Sequence, residues 1–168
     1  MLSEQDIDAV YKAHANALFS YALSLGFDRE TSMDAIHDVF CKLCAERDAL
    51  AAVVNMRFYL LRSLKNRLLD LCKRKRETIG LPLEKLAEDL PFDLHATVED
   101  ELIAHEEQEL AARRVNELLA TLTDRQREIV YLRYSEGLDY EEIARLMSIS
   151  APACRKLMHK ALKGLRES

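Results

Sequence analysis

Residues 139–166, DYEEIARLMSISAPACRKLMHKALKGLR, decide the fold of the chain. Their first part has helical apolar spacing and starts at Asp139, a residue type that caps helices well. The turn 148–150 follows, and Ser150 is placed to cap a second helix. Pro152 falls in the first turn of that helix, where its missing N–H costs little. The stretch therefore predicts a helix-turn-helix.

The second helix of this motif, predicted from Ala151 to about Leu165, has an apolar face and a cationic face. Its outward side chains are short or cationic, as a helix that enters the major groove of DNA requires. The residues expected to contact duplex DNA are Ser150, Ala151, Pro152, Arg155, Lys156, His159, Lys160 and Lys163. An amphipathic hairpin that packs only against its neighbours is the alternative interpretation.

The formal net charge of −5 argues against a nucleic-acid partner, but the charge is unevenly distributed. Residues 57–76 carry 8 Lys and Arg against 1 Asp, residues 151–166 carry 5 basic residues and no acid, and residues 77–112 carry 1 Lys against 11 acids. Binding depends on local fields, so the two basic segments favour a nucleic-acid partner. Solvated helix faces are the alternative explanation for such runs.

The first 76 residues show helical spacing in three successive segments. The first segment ends at Gly26. The second begins near Thr31, whose hydroxyl is expected to cap it, and the third runs from about Arg57 to Arg76. On a helical wheel, leucines share one face of the third segment. The opposite, cationic face is predicted to hold Arg62, Lys65, Asn66 and Lys73.

The domain organisation follows from a break in this periodicity. Residues 77–100 contain Gly80, Pro82, Pro91 and scattered acids without a sustained period. With only 4 Gly and 3 Pro and 49% hydrophobic residues, the rest of the chain favours helices. We predict an all-α fold of two small helical domains, residues 1–76 and 109–168, joined by an acidic linker, residues 77–108.

The sequence contains no apolar run of the roughly 20 residues that a membrane span needs. The start, MLSEQDIDAV, also lacks the basic and apolar regions of a signal peptide. The 4 cysteines are unevenly spaced and indicate reduced thiols. We therefore expect a cytoplasmic protein.

Three segments together resemble the sigma-70 family of transcription factors. Residues 122–167, LTDRQREIVYLRYSEGLDYEEIARLMSISAPACRKLMHKALKGLRE, resemble region 4 of that family. Residues 31–44, TSMDAIHDVFCKLC, and 55–76, NMRFYLLRSLKNRLLDLCKRKR, resemble region 2. A chain with only these two regions, in this order, resembles the extracytoplasmic-function (ECF) group.

This resemblance implies a sigma factor that binds core RNA polymerase and directs it to promoters. The helix carrying Asp34, His37, Asp38 and Cys41 would dock on the beta-prime clamp, and region 4 would read the minus-35 element and touch the beta flap. An anti-sigma factor, often membrane-bound in this group, is an expected further partner. The minus-10 element would be held by Asn55, Arg57, Tyr59, Arg62, Lys65, Asn66 and Lys73.

A protein that holds an unpaired DNA strand needs cations to contact the DNA backbone and planar side chains to stack on the bases. The resemblance implies no cofactor and no small-molecule substrate. The sequence also shows no Gly-rich phosphate loop and no nucleophile elbow, so we do not expect an enzyme.

Two other interpretations remain open at this point. His37, Cys41 and Cys44 have a spacing suited to zinc and resemble the metal motif of some anti-sigma factors, with His14 as a candidate fourth ligand. We favour packing or docking roles for these residues, because the segments around them match region 2. The second alternative is another helix-turn-helix transcriptional regulator.

Overall fold

The structure is a computed structural model that describes residues 3–79, 90–94 and 105–167. Its helices are α1 (Glu4–Ser24), α2 (Arg29–Ala45), α3 (Met56–Ile79), α4 (His105–Ala120), α5 (Asp124–Val130), α6 (Tyr140–Met147) and α7 (Ala151–Arg166). A 3-10 helix, Arg47–Ala52, precedes α3, and a π-helical turn, Tyr131–Ser135, follows α5. The described residues contain no strand, which confirms the predicted all-α fold class.

The chain forms two compact units, Met1–Pro91 and Phe92–Ser168. Their boundary falls inside the predicted linker, 77–108. Helix α3 continues to Ile79, and α4 begins at His105 among the described residues. The rest of that linker, residues 80–89 and 95–104, lies outside the described residues.

In the first unit, α1, α2 and α3 pack against one another. Gly26 follows α1 with φ +90°, a left-handed conformation that glycine adopts without steric cost. Helix α2 then begins earlier than predicted, because the Asp28 carboxylate accepts the Thr31 N–H at 2.6 Å. The predicted Thr31 cap is therefore wrong. The core of this unit includes Leu18, Tyr21, Leu25, Ile36, Leu43, Leu60, Leu61, Leu64 and Leu68.

One residue of the predicted cationic face of α3 is buried. Lys65 is only 3% exposed. It comes four residues after Leu61 and three before Leu68, so the helical repeat places it beside the leucine stripe. The prediction that Lys65 lies on the exposed face opposite the leucines is wrong.

In the second unit, α7 packs against both α5 and α6. Thr123 caps α5 in a capping box with Gln126. The helix predicted to continue through Tyr134 changes to the π-helical turn, and Gly137 then adopts a left-handed conformation with φ +67°. The core of this unit includes Phe92, Ile129, Leu132, Leu138, Ile143, Met147, Cys154, Met158 and Ala161.

Candidate nucleic-acid interface

The helix-turn-helix predicted over 139–166 is confirmed, and local hydrogen bonds fix its turn. The Asp139 carboxylate accepts the Glu142 N–H at 2.8 Å, and Glu142 Oε1 accepts the Asp139 N–H at 3.1 Å. Ser148 ends α6 in the left-handed conformation, with φ 57°. The Ile149 N–H then donates to the Ala144 carbonyl at 3.0 Å. These contacts define the end of α6 and the short turn before α7.

Helix α7 begins with a capped turn and separates its apolar and polar sides. The Ser150 hydroxyl oxygen accepts the Ala153 N–H at 3.2 Å, and Pro152 occupies the first turn, as predicted. Cys154 is buried, and burial raises the pKa of its thiol, so it stays a neutral core group. Ala151 is half-buried, whereas the exposed members of the predicted site are Ser150, Pro152, Arg155, Lys156, His159, Lys160 and Lys163.

Arg155 makes a contact that sequence analysis missed. Its guanidinium carbon lies 5.8 Å from the ring centroid of Tyr140, the first residue of α6. That distance is within the range of a cation–π interaction. No sequence signal links two residues that far apart; only the packing of α6 on α7 brings them together.

On the first unit, four of the predicted minus-10 residues share one sector of α3. Tyr59, Arg62, Asn66 and Lys73 fall within about 60° of the helical wheel. Arg62, Asn66 and Lys73 are exposed, and Tyr59 is half-exposed. Arg57 lies on the other side of the helix and is half-exposed. The structure therefore brings three exposed polar residues and an aromatic ring together, without Arg57 or Lys65.

Asn55 and its neighbour in sequence precede this sector. Asn55 Oδ1 accepts the Phe58 N–H at 3.3 Å, and its carbonyl accepts the Tyr59 N–H at 3.1 Å. Asn55 therefore fixes the start of α3. Val54, next to it, is 102% exposed and presents its whole side chain to solvent.

Three of the four predicted polymerase-binding residues of α2, all except Cys41, line a groove of the same unit. Asp34, His37 and Asp38 share a groove of about 690 Å³ with Arg67. Arg67 Nε donates to Asp38 Oδ2 at 2.9 Å, a charge-assisted contact that holds the Asp38 carboxylate in place. The role of Arg67 is not visible in the sequence, because nothing in the spacing pairs positions on two different helices.

The thiols of α2 are not grouped with further metal-binding side chains in the part of the chain that the structure describes. Cys41 Sγ lies 3.5 Å from His37 Nε2, and Cys41 and Cys44 are both exposed. Within residues 3–79, 90–94 and 105–167, no three His, Cys, Asp or Glu side chains are arranged to hold a metal ion. The zinc interpretation, including His14 as a fourth ligand, gains no support from this part of the chain.

Both units match models of known protein families. Residues 10–78 match the family model "Sigma-70 region 2", and residues 112–165 match "Sigma-70, region 4". The chain belongs to the sigma-70 family. The second alternative, an unrelated helix-turn-helix regulator, does not account for the region 2 match, and neither does an anti-sigma-like regulator.

Curated relatives place the chain in the predicted ECF group. It is 38% identical over 78 residues to the ECF RNA polymerase sigma factor SigK of Mycobacterium ulcerans. It is 41% identical over 54 residues to SigK of Mycobacterium tuberculosis (strain H37Rv). These matches span 46% and 32% of this chain, and 38% and 29% of the relatives' lengths. The prediction of an ECF-group member is confirmed.

Two solved structures share the fold. The sigma factor RpoE in complex with the anti-sigma factor NepR, from Bartonella quintana, has a TM-score of 0.63 and 18% identity, over 97% of this chain and 96% of that chain. CnrH in complex with the cytosolic domain of CnrY has a TM-score of 0.57 and 19% identity, over 98% and 88%. At these identities the likeness shows the fold alone.

Among the described residues, no helix combines the length and apolar character that a membrane crossing requires.

Proposed function

We propose that this chain is an ECF-type sigma factor that binds core RNA polymerase, recognises minus-35 and minus-10 promoter elements and promotes transcription initiation. The observation that carries the proposal is the match of regions 2 and 4, in that order, to the two helical units. The cationic faces of α3 and α7 support it independently.

For the minus-35 element, we assign duplex recognition to α7. Its exposed N-terminal turn carries small or cationic residues, which allows close approach to base edges in the major groove. The cations farther along the helix suit phosphate contacts, which fix the position of a protein on DNA. The assigned residues are Ser150, Ala151, Pro152, Arg155, Lys156, His159, Lys160 and Lys163.

For the minus-10 element, we assign single-strand capture to the α3 sector and the residues before it. Arg62 and Lys73 supply charge for the backbone, Tyr59 supplies a ring for stacking, and Asn66 supplies hydrogen bonds. Asn55 and Arg57 remain in the proposal at the start of the helix. Lys65 is left out, because its burial in the first unit removes it from the surface.

For the polymerase, we assign the α2 surface of Asp34, His37, Asp38 and Cys41 to the beta-prime clamp, and region 4 to the beta flap. Both solved structures named above contain a partner, and the partner of RpoE is the anti-sigma factor NepR. By analogy we propose an anti-sigma factor for this chain too. The proposed activity takes place in the cytoplasm and requires neither a cofactor nor catalysis by this chain.

The direct test is reconstitution with core RNA polymerase. We expect the purified chain to bind core polymerase and to start RNA synthesis at specific sites on fragmented genomic DNA of the source organism, which maps its promoters. Core polymerase alone is the control. Failure of the chain to bind core polymerase, or initiation no more specific than that of core alone, would contradict the proposal.

A charge variant tests the α3 sector. Arg62→Ala combined with Lys73→Ala is expected to reduce open-complex formation at least about tenfold, because a hydrogen bond to a charged group contributes roughly 1.5 kcal/mol or more. Permanganate reactivity of unpaired thymines in the minus-10 region measures the open complex, and co-purification measures core binding. Core binding should stay near that of the wild type.

The matched control removes two exposed cations of the same unit outside α3, Lys12→Ala with Arg29→Ala. We expect this control to melt promoter DNA normally. Equal losses in the control and in the α3 variant would mean that total charge, and not the α3 sector, governs melting.

A further inference from the structure

Tyr140 lies close to two guanidinium groups. The Arg133 and Arg155 guanidinium carbons lie 4.9 Å and 5.8 Å from its ring centroid. The face of an aromatic ring is electronegative and attracts a cation within about 6 Å. One half-exposed ring therefore contacts a cation of the π-helical turn and a cation of the helix proposed to bind DNA.

The backbone that carries Tyr140 is fixed by hydrogen bonds at the start of α6. Tyr140 follows Asp139, whose capping box with Glu142 fixes the first turn of α6. Arg133 is fixed as well, because its Nη1 donates to the Leu138 carbonyl at 3.0 Å. The helical turn that carries the ring and the Arg133 side chain beside it are therefore both held by hydrogen bonds.

Arg155 is exposed. Among the residues that the structure describes, its guanidinium forms no ion pair with a carboxylate. A long side chain on a helix surface normally samples many rotamers, and ordering it on binding costs conformational entropy. A ring that restricts these rotamers without neutralising the charge reduces that cost.

We propose that Tyr140 is a positioning residue that holds the Arg155 guanidinium ready for duplex DNA. The inference rests on the proposed function, because it takes α7 to be the helix that binds the minus-35 duplex. In this arrangement Tyr140 strengthens binding only through Arg155. The two residues are therefore energetically coupled in DNA binding.

A double-mutant cycle tests this coupling. The full chain in complex with core polymerase is titrated with a 30-base-pair duplex that carries the minus-35 element mapped in the reconstitution. Tyr140→Leu should weaken binding about two- to fivefold when Arg155 is present, which corresponds to about 0.5–1 kcal/mol for an exposed cation–π pair. In the Arg155→Ala background the same change should have almost no effect. Tyr140→Phe keeps the ring and should bind like the wild type.

The exposed Tyr134 provides a matched control, since Tyr134→Leu should shift binding equally in both Arg155 backgrounds. Helicity and melting temperature are checked for each variant, and Tyr140→Met replaces Tyr140→Leu if the leucine variant melts below the assay temperature.

Equal loss from Tyr140→Leu in both backgrounds, or full binding by Arg155→Ala, would overturn the positioning role while the proposed function stands. No binding of any duplex by the wild-type complex would instead overturn the proposed function.

Discussion

Replacing Phe92 with alanine is expected to lower the free energy of unfolding of the second unit by about 3–5 kcal/mol. The Phe92 side chain is 1% exposed, and its ring centroid lies 5.5 Å from that of Tyr131. Truncation removes a large buried apolar group and leaves a cavity that the surrounding side chains fill only in part. Domains are stable by only about 5–15 kcal/mol, so a loss of this size would leave region 4 marginally folded.

The backbone of Phe92 is held as firmly as its ring. Its N–H donates to Asp124 Oδ1 at 3.1 Å, and its carbonyl accepts from Arg127 Nε at 2.7 Å. The Arg127 guanidinium also donates to the carbonyls of Leu119 and Leu122, where α4 ends. Arg127 therefore links the backbone of Phe92 to the connection between α4 and α5. Because these bonds fix the backbone, the segment cannot easily shift to fill the cavity.

Hydrogen exchange on the full chain, read peptide by peptide in increasing urea, measures the effect separately for each unit. Leu94→Ala is the matched control, since Leu94 is only half-buried and its truncation should cost about 1 kcal/mol. Peptides of the first unit should keep their wild-type protection. A loss below about 1 kcal/mol for Phe92→Ala would mean that this segment does not dock on region 4 in solution.

The helix-turn-helix was predictable because its signals are local. Asp139 and Ser150 each cap a helix with their own side chain, and Pro152 marks the first turn of α7. Each of these interactions spans three or four residues, so the sequence alone is enough to predict them. The apolar face that buries Cys154 and Met158 follows from the same helical repeat.

Two of the features that could not be predicted depend on contacts between residues distant in sequence, and a third concerns the burial of a charged residue. Phe92 is an isolated aromatic residue in an acidic, proline-containing segment, and its partners lie more than thirty residues later. The Arg67–Asp38 pair joins two helices. Lys65 was misplaced for another reason: it was grouped with the cations opposite the leucines, although its spacing from Leu61 and Leu68 puts it beside them. A long aliphatic stem allows lysine to lie along apolar groups, so charge alone does not determine burial.

Replacing Lys156 and Lys160 with alanine together is expected to lower affinity for the minus-35 duplex about a hundredfold at low salt. Both side chains are exposed on α7, where the proposal places them against phosphates. Each phosphate contact contributes about 0.9 to the slope of log affinity against log salt, because binding releases condensed counterions. Loss of two contacts should therefore reduce the magnitude of that slope by about 1.8. Titrations of the polymerase complex with the 30-base-pair duplex at several salt concentrations measure both quantities.

The slope separates phosphate contact from a general loss of folding or of polymerase binding. A variant that merely folds less well would bind less at every salt concentration with an unchanged slope. The Lys12→Ala/Arg29→Ala variant, which removes the same charge from the first unit, should leave the slope of the duplex titration unchanged. A wild-type slope in the α7 variant would show that these two lysines do not contact phosphates.

Because phosphate contacts are independent of base sequence, the variant should lose affinity for a shuffled duplex by a similar factor. A loss confined to the mapped element would instead mean that one of the lysines reads base edges.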